Sequence, residues 1–224
     1  MEGQRERRCR SAIDAAADLL DWLAVAEETL EEEEREEVED LDEAPEPKLD
    51  PEVAARRDAA LARIRKFGDP VLRTRARPVE RFDSALRAEV ERMGELMGDA
   101  MGVGLAATQL GVLNRVLVYR VAQQAPVAVL INPEVEWSGA EAEAAEEGCL
   151  SLPSVLVEVE RPIHVRVRAQ DENGEPLLVE ATGLEARVIQ HELDHLDGVL
   201  ILDRTSREQR KEAMRSLREA LQAA

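Results

Sequence analysis

Gln190-His191-Glu192-Leu193-Asp194-His195 carries two of the only three histidines in a chain of 224 residues. His191 and His195 stand at i and i+4, so a helix brings both imidazoles onto one face. Glu192 is rotated about 100° from His191, which places it beside a metal held by the pair. A carboxylate there can take the proton of an attacking water, the general-base position of metal-assisted hydrolysis. The stretch predicts a central helix. It starts after Thr182, where Thr182 and Glu185 have capping-box spacing, and stops at Gly198. Surface histidines on an ordinary helix are the plainer alternative, because HExxH alone is only moderately specific.

Two histidines need a third ligand. Proteases of the HExxHxxGxxH type place a histidine six residues after the second one, and Ile201 stands there. Others use a later glutamate, and Glu219 lies near the end of a terminal helix. Cys149, in Glu146-Glu147-Gly148-Cys149-Leu150-Ser151-Leu152-Pro153, is the better candidate. A thiolate binds divalent first-row metals well, and one Cys with two His leaves a fourth position for water. Packing is the commoner use of a lone cysteine.

A third stretch is Gly102-Val103-Gly104-Leu105-Ala106-Ala107-Thr108-Gln109-Leu110-Gly111. Ala107 replaces the third glycine of the phosphate-cradling G-x-G-x-x-G pattern, and no strand is evident before it. The glycines allow close backbone approach, and Gln109 offers a neutral amide donor to an oxyanion. A packed turn is the alternative.

The rest of the chain supplies a scaffold. Ser84 to Ala100 reads as a helix, with Leu86, Val90, Met93 and Met97 at spacings of three and four. Strands are predicted at Arg115–Val121, Val127–Ile131, Val155–Val159, Ile163–Ala169 and Leu177–Ala181, with a hairpin turn at Asn173-Gly174. His164, Arg166 and Arg168 share one face, which makes His164 a surface residue. A last helix runs from about Arg207, with Thr205 and Glu208 as a second capping box. Strands followed by helices predict an α+β fold, its antiparallel or mixed strands packed around the HExxH helix.

Charge divides the chain. Residues 1–60 hold 21 Asp/Glu against 8 Lys/Arg, and the remainder 27 against 21. Residues 1–61 therefore read as an acidic extension, with a helix over 11–30 and, over 27–46, a solvated helix running into a flexible linker, an acidic docking segment being the alternative; residues 62–224 read as the catalytic domain. A chain this acidic is a poor general binder of bare nucleic acid, so no specific DNA partner is expected. Two cysteines, Cys9 and Cys149, predict no disulfide framework. No secretory signal or membrane-length run is visible, and the reading is a cytoplasmic protein.

Together, GVGLAATQ at 102–109, EGCLS at 147–151 and QHELDHLDG at 190–198 resemble, in order, the three motifs of the bacterial peptide deformylases. The resemblance spans roughly residues 62–224. It implies that Cys149, His191 and His195 bind one divalent metal, usually Fe2+, with Zn2+, Ni2+ or Co2+ as alternatives. It implies that Glu192 is the general base and acid, and that Gln109 and the Leu150 N–H stabilise the oxyanion. It places Val103 and Gly104 in the substrate groove and Glu147 in support of a ligand. The substrates implied are N-formylmethionyl peptides. Ser154-Val155-Leu156 follows Pro153 where family members often carry a basic residue, which leaves peptide contacts in that loop open. The segment from Arg204 carries six Arg/Lys against three Glu. It predicts either a helix packed on its own domain or one that docks on the ribosome through a basic face. A zinc endopeptidase and an inactive ribosome- or partner-binding relative are the competing functions.

Overall fold

The computed structural model describes residues 49–122 and 124–223. The readings made on residues 1–48, including the helix over 11–30, the linker and Cys9, lie outside the described residues. One compact unit begins at Asp50.

Four helices are described: α1 Pro51–Leu61, α2 Ser84–Asp99, α3 Gly183–Leu196 and α4 Arg207–Ala223. The strands are β1 Gly104–Ala106, β2 Val116–Tyr119, β3 Ala128–Ser138, β4 Ala142–Cys149, β5 Leu152–Pro162, β6 His164–Gln170 and β7 Pro176–Thr182. Five form one antiparallel sheet in the order β1-β2-β3-β6-β7, and β4 and β5 form a separate hairpin. This is the expected α+β architecture, with every ladder between these strands antiparallel.

The sheet lies between two helices, and β2 shows why. Val116 and Val118 join the α2 residues Leu86, Val90, Met93 and Met97 in one cluster. Leu117 and Tyr119 join the α3 residues Val188, Ile189, Leu193 and Leu196 in another. All four β2 residues are buried, so the strand is a continuous apolar run. The hairpin builds a third cluster: Val155, Val157 and Val159 of β5 pack with Leu200, Ile201, Leu202 and the α4 residues Ala213 and Leu217.

The boundary expected at residues 61 and 62 falls at the end of α1. Asp50 caps that helix, Pro51 occupies its first turn, and Ala60 is buried with the α2 residues. The helix is thus part of the compact unit.

Several local readings change. Ala142–Cys149, rich in Ala and Glu, escapes sequence-based strand recognition but is held as a strand along its length by β5. The Thr182–Glu185 box does not form; Glu185 accepts the Tyr119 hydroxyl at 2.8 Å. At α4, Ser206 Oγ accepts the Gln209 N–H, and Thr205 instead reaches the Gln209 side chain. Gly198 ends α3 as expected. It sits at φ +74°, and an added Cβ would lie 2.7 Å from the Arg73 carbonyl oxygen.

Candidate metal centre and active site

The ligands come from two places. Cys149 ends β4, and His191 and His195 lie one turn apart on α3. One ligand atom from each gathers within 4.8 Å of the others. Cys149 Sγ lies 3.2 Å from His195 Nε2. Glu147 Oε2 meets His191 Nδ1 at 2.9 Å, which leaves His191 Nε2 to face a metal. A single ion with bonds of about 2.0–2.3 Å fits this thiolate and two imidazoles. Burial pushes the Cys149 thiol up, but His195 and His191 outweigh it and hold the thiol well below its ordinary range. The thiolate form, which a metal requires, is favoured.

Glu192 points into the same site. Its Oε2 is buried without a hydrogen-bond partner among the described residues. Burial raises its carboxyl above the usual range, against the pull of the imidazoles of His191 and His195. A raised carboxyl matches a group that must both accept and return a proton. Gly104 makes room for it: an added Cβ would lie 2.5 Å from Glu192 Oε1.

Gln109 is oriented by its own backbone surroundings. Its Oε1 accepts the Ala106 N–H at 2.8 Å, so its Nε2 must face Ser151 Oγ at 3.2 Å and Cys149 Sγ at 3.9 Å. The stretch around it is strand β1 followed by the 3-10 turn Ala107–Leu110, fully buried up to Gln109. The Leu150 carbonyl accepts from Lys66 Nζ at 2.9 Å. Its N–H has no turn or loop carbonyl partner among the described residues. A cavity of about 680 Å³ opens here, lined by Val103, Gly104, Gln109, Cys149, Leu150 and Glu192. The eight residues named as site candidates therefore converge.

Arg161 did not stand out as a site residue. It donates to Glu147 at 2.6 and 2.9 Å and to Asp194 at 2.9 Å, and it is 4% exposed. Arg187 adds a bond to Glu147, and Arg204 adds two to Asp194. Burial pushes the Glu147 carboxyl up, and Arg161 and His191 more than offset it, holding it at about 2. A signal existed: Val155, Val157, Val159 and Arg161 share one parity in β5, and that parity is the buried face.

The endopeptidase ligand sets do not form. Ile201 is buried in the apolar cluster of the hairpin, and Glu219 is an exposed side chain near Arg215. His164 is exposed, as expected.

A model of the polypeptide deformylase family matches residues 61–211. The chain belongs to this family. The peptide deformylase of Thermotoga neapolitana is 55% identical over 142 residues, covering 63% of this chain and 85% of that protein. The peptide deformylase of Acidothermus cellulolyticus is 50% identical over 161 residues, covering 72% and 88%. The crystal structure of the Synechococcus elongatus peptide deformylase in complex with actinonin matches with a TM-score of 0.66 at 44% identity, over 68% of this chain and 85% of that one. As a family member the chain is a metal-dependent hydrolase of N-formyl groups, and neither competing function is supported.

Removing Arg161 would take from Glu147 and Asp194 the one buried cation they share, leaving Glu147 with Arg187 and His191 and Asp194 with the half-exposed Arg204. Arg161→Met is expected to cost about 3–5 kcal/mol of stability. Arg166→Met, which breaks the exposed pair with Glu180, should cost no more than about 1 kcal/mol. Chemical denaturation of both variants measures the difference, and equal losses would contradict it.

Proposed function

We propose that Cys149, His191 and His195 hold one ferrous ion, and that Glu192, Gln109 and the Leu150 N–H carry out deformylation of N-formylmethionyl peptides. The convergence of a thiolate and two imidazoles within 4.8 Å, beside a buried unpartnered Glu192 oxygen, carries this reading. The family resemblance supplies the choice of iron. When bound, the metal supplies Lewis acidity toward the formyl oxygen and acidifies water.

The protein's own groups do the rest. Glu192 removes a proton from the water that attacks the formyl carbon. The amide of Gln109 and the N–H of Leu150 donate to the oxygen as it becomes negative, and one such donor typically contributes about 2.7–4 kcal/mol. Glu192 then gives its proton to the amine nitrogen as the C–N bond breaks. Formate and a free N-terminus leave. Val103 and Gly104 lie on the cavity wall, and β1 is an edge strand of its sheet, so Gly104 can pair with an extended peptide backbone.

Nascent substrates emerge from the ribosome, and α4 supports docking there. Ala213 and Leu217 pack inward against the hairpin, and Arg207, Lys211 and Arg218 are exposed. No described helix is long and apolar enough to cross a membrane.

Anaerobically purified protein is expected to contain iron and to release formate from formyl-Met peptides. Glu192→Gln should lose turnover by at least about a hundredfold while keeping its metal, and Cys149→Ala should lose the metal. Metal analysis beside formate release decides it; metal loss in Glu192→Gln would overturn the assigned roles. Cosedimentation with ribosomes is expected to weaken in moderate salt and when Arg207, Lys211 and Arg218 are reversed to Glu. Binding indifferent to both changes would remove the docking proposal.

A further inference from the structure

Helix α1 lies almost wholly before the family-matched segment, which begins at residue 61. Yet it contributes to the substrate cavity: Arg57 and Leu61, one turn apart, both line it. The helix is firmly placed. Ala60 and Ile64 are each 3% exposed in the α2 cluster. The segment just after the helix bonds directly to the catalytic loops, with the Arg65 N–H donating to the Gln109 carbonyl at 2.7 Å and the Phe67 N–H to the Ser151 carbonyl at 2.9 Å. Arg57 is thereby carried on a rigid element whose end is tied to the oxyanion donors.

The other cations of the cavity are occupied, and of its carboxylates, Glu192 apart, only the exposed Glu146 is unpaired among the described residues. Lys66 is bonded to the Leu150 carbonyl, and Arg187 to Glu147 and to the Val159 and Glu143 carbonyls. Glu147 is saturated by Arg161, Arg187 and His191. Glu192 faces the metal ligands. Glu146 lines this cavity and also a smaller one of about 160 Å³ with the α4 residues Gln209 and Glu212. Arg57, by contrast, is half-buried and has no hydrogen bond or ion pair to any other described residue. A guanidinium in that position suits a carboxylate, which it can meet through two parallel N–H donors. The loop after Pro153 offers only Ser154, Val155 and Leu156 to the same cavity, so it supplies no competing cation.

We propose that Arg57, presented by α1, is a specificity-determining residue that selects formylated peptides bearing a carboxylate downstream of the methionine. The inference rests on the deformylase reading above. Its chemistry is an acidic side chain on the peptide; the terminal carboxylate of a short peptide offers the same group. C-terminally amidated peptides separate the two sources.

The test uses the full-length, metal-loaded chain and amidated formyl-Met peptides in which Asp, Ala or Lys is moved through the second, third and fourth positions. At one position the Asp peptide should exceed the Ala peptide in kcat/KM by about fivefold to tenfold, with the difference in KM, and the excess should shrink in high salt. Arg57→Ala should abolish the preference, Arg57→Lys should retain part of it, and Arg57→Glu should shift it to the Lys peptide. Preference only for non-amidated peptides would assign Arg57 to the terminal carboxylate and overturn side-chain selection. The same Asp-to-Ala ratio in the wild type and Arg57→Ala would overturn the proposal altogether. Turnover of formyl-Met-Ala by the wild-type chain reads the deformylase activity separately, so its failure is distinguishable from a failure of specificity.

Discussion

Arg161 ties together the two pieces of chain that must meet for a metal to bind. Its guanidinium grips Glu147, two residues before Cys149 on β4, and Asp194, one residue before His195 on α3. The hairpin and the helix belong to different packing clusters, and what joins them is polar: these ion pairs, with Gln190 and Arg187 bonding to hairpin carbonyls. Arg161 and Arg187 meet the two buried carboxylates in a region of low exposure, where removing one partner is expensive, and the half-exposed Arg204 adds to Asp194 from outside. The same carboxylate of Glu147 also turns His191, so the register of strand against helix and the orientation of a ligand depend on one group.

Close approach is the second constraint. Glu192 can sit beside the ligands only because Gly104 lacks a side chain. The strand that carries Gly104 is followed at once by the turn that aims Gln109. The proposed general base, oxyanion donor and substrate edge thus all depend on one short buried segment. Small residues suit the GVGLAATQ stretch because it runs close against α3 at Gly104, where an added Cβ would meet Glu192 and Val188, and against Leu150 at Gly102.

Much of this was readable in the sequence. The i, i+4 histidines, the EGCLS cysteine and the small-residue loop each carry a chemical reason for their composition, and the structure brings all three together. The alternating strand β6 and the amphipathic helix α2 followed from periodicity, and β7 from the hairpin turn at Asn173-Gly174. Other features were set by tertiary contact and left weak local traces. Ala142–Cys149 has a helix-forming composition and becomes a strand because β5 pairs with it. Glu185 and Thr205 have capping-box spacing but find better partners in Tyr119 and Gln209. Arg161 was legible in principle, as a charge in step with a buried valine stripe. The partners that make its burial tolerable lie 14 and 33 residues away, beyond any local pattern.

A single metal bound by one sulfur and two imidazoles is what the proposed chemistry requires. X-ray absorption at the metal edge of the anaerobically prepared protein tests it most directly. One sulfur scatterer at about 2.3 Å with two imidazole nitrogens at about 2.0–2.1 Å is the predicted shell. A shell of nitrogen and oxygen alone, with no sulfur, would contradict it.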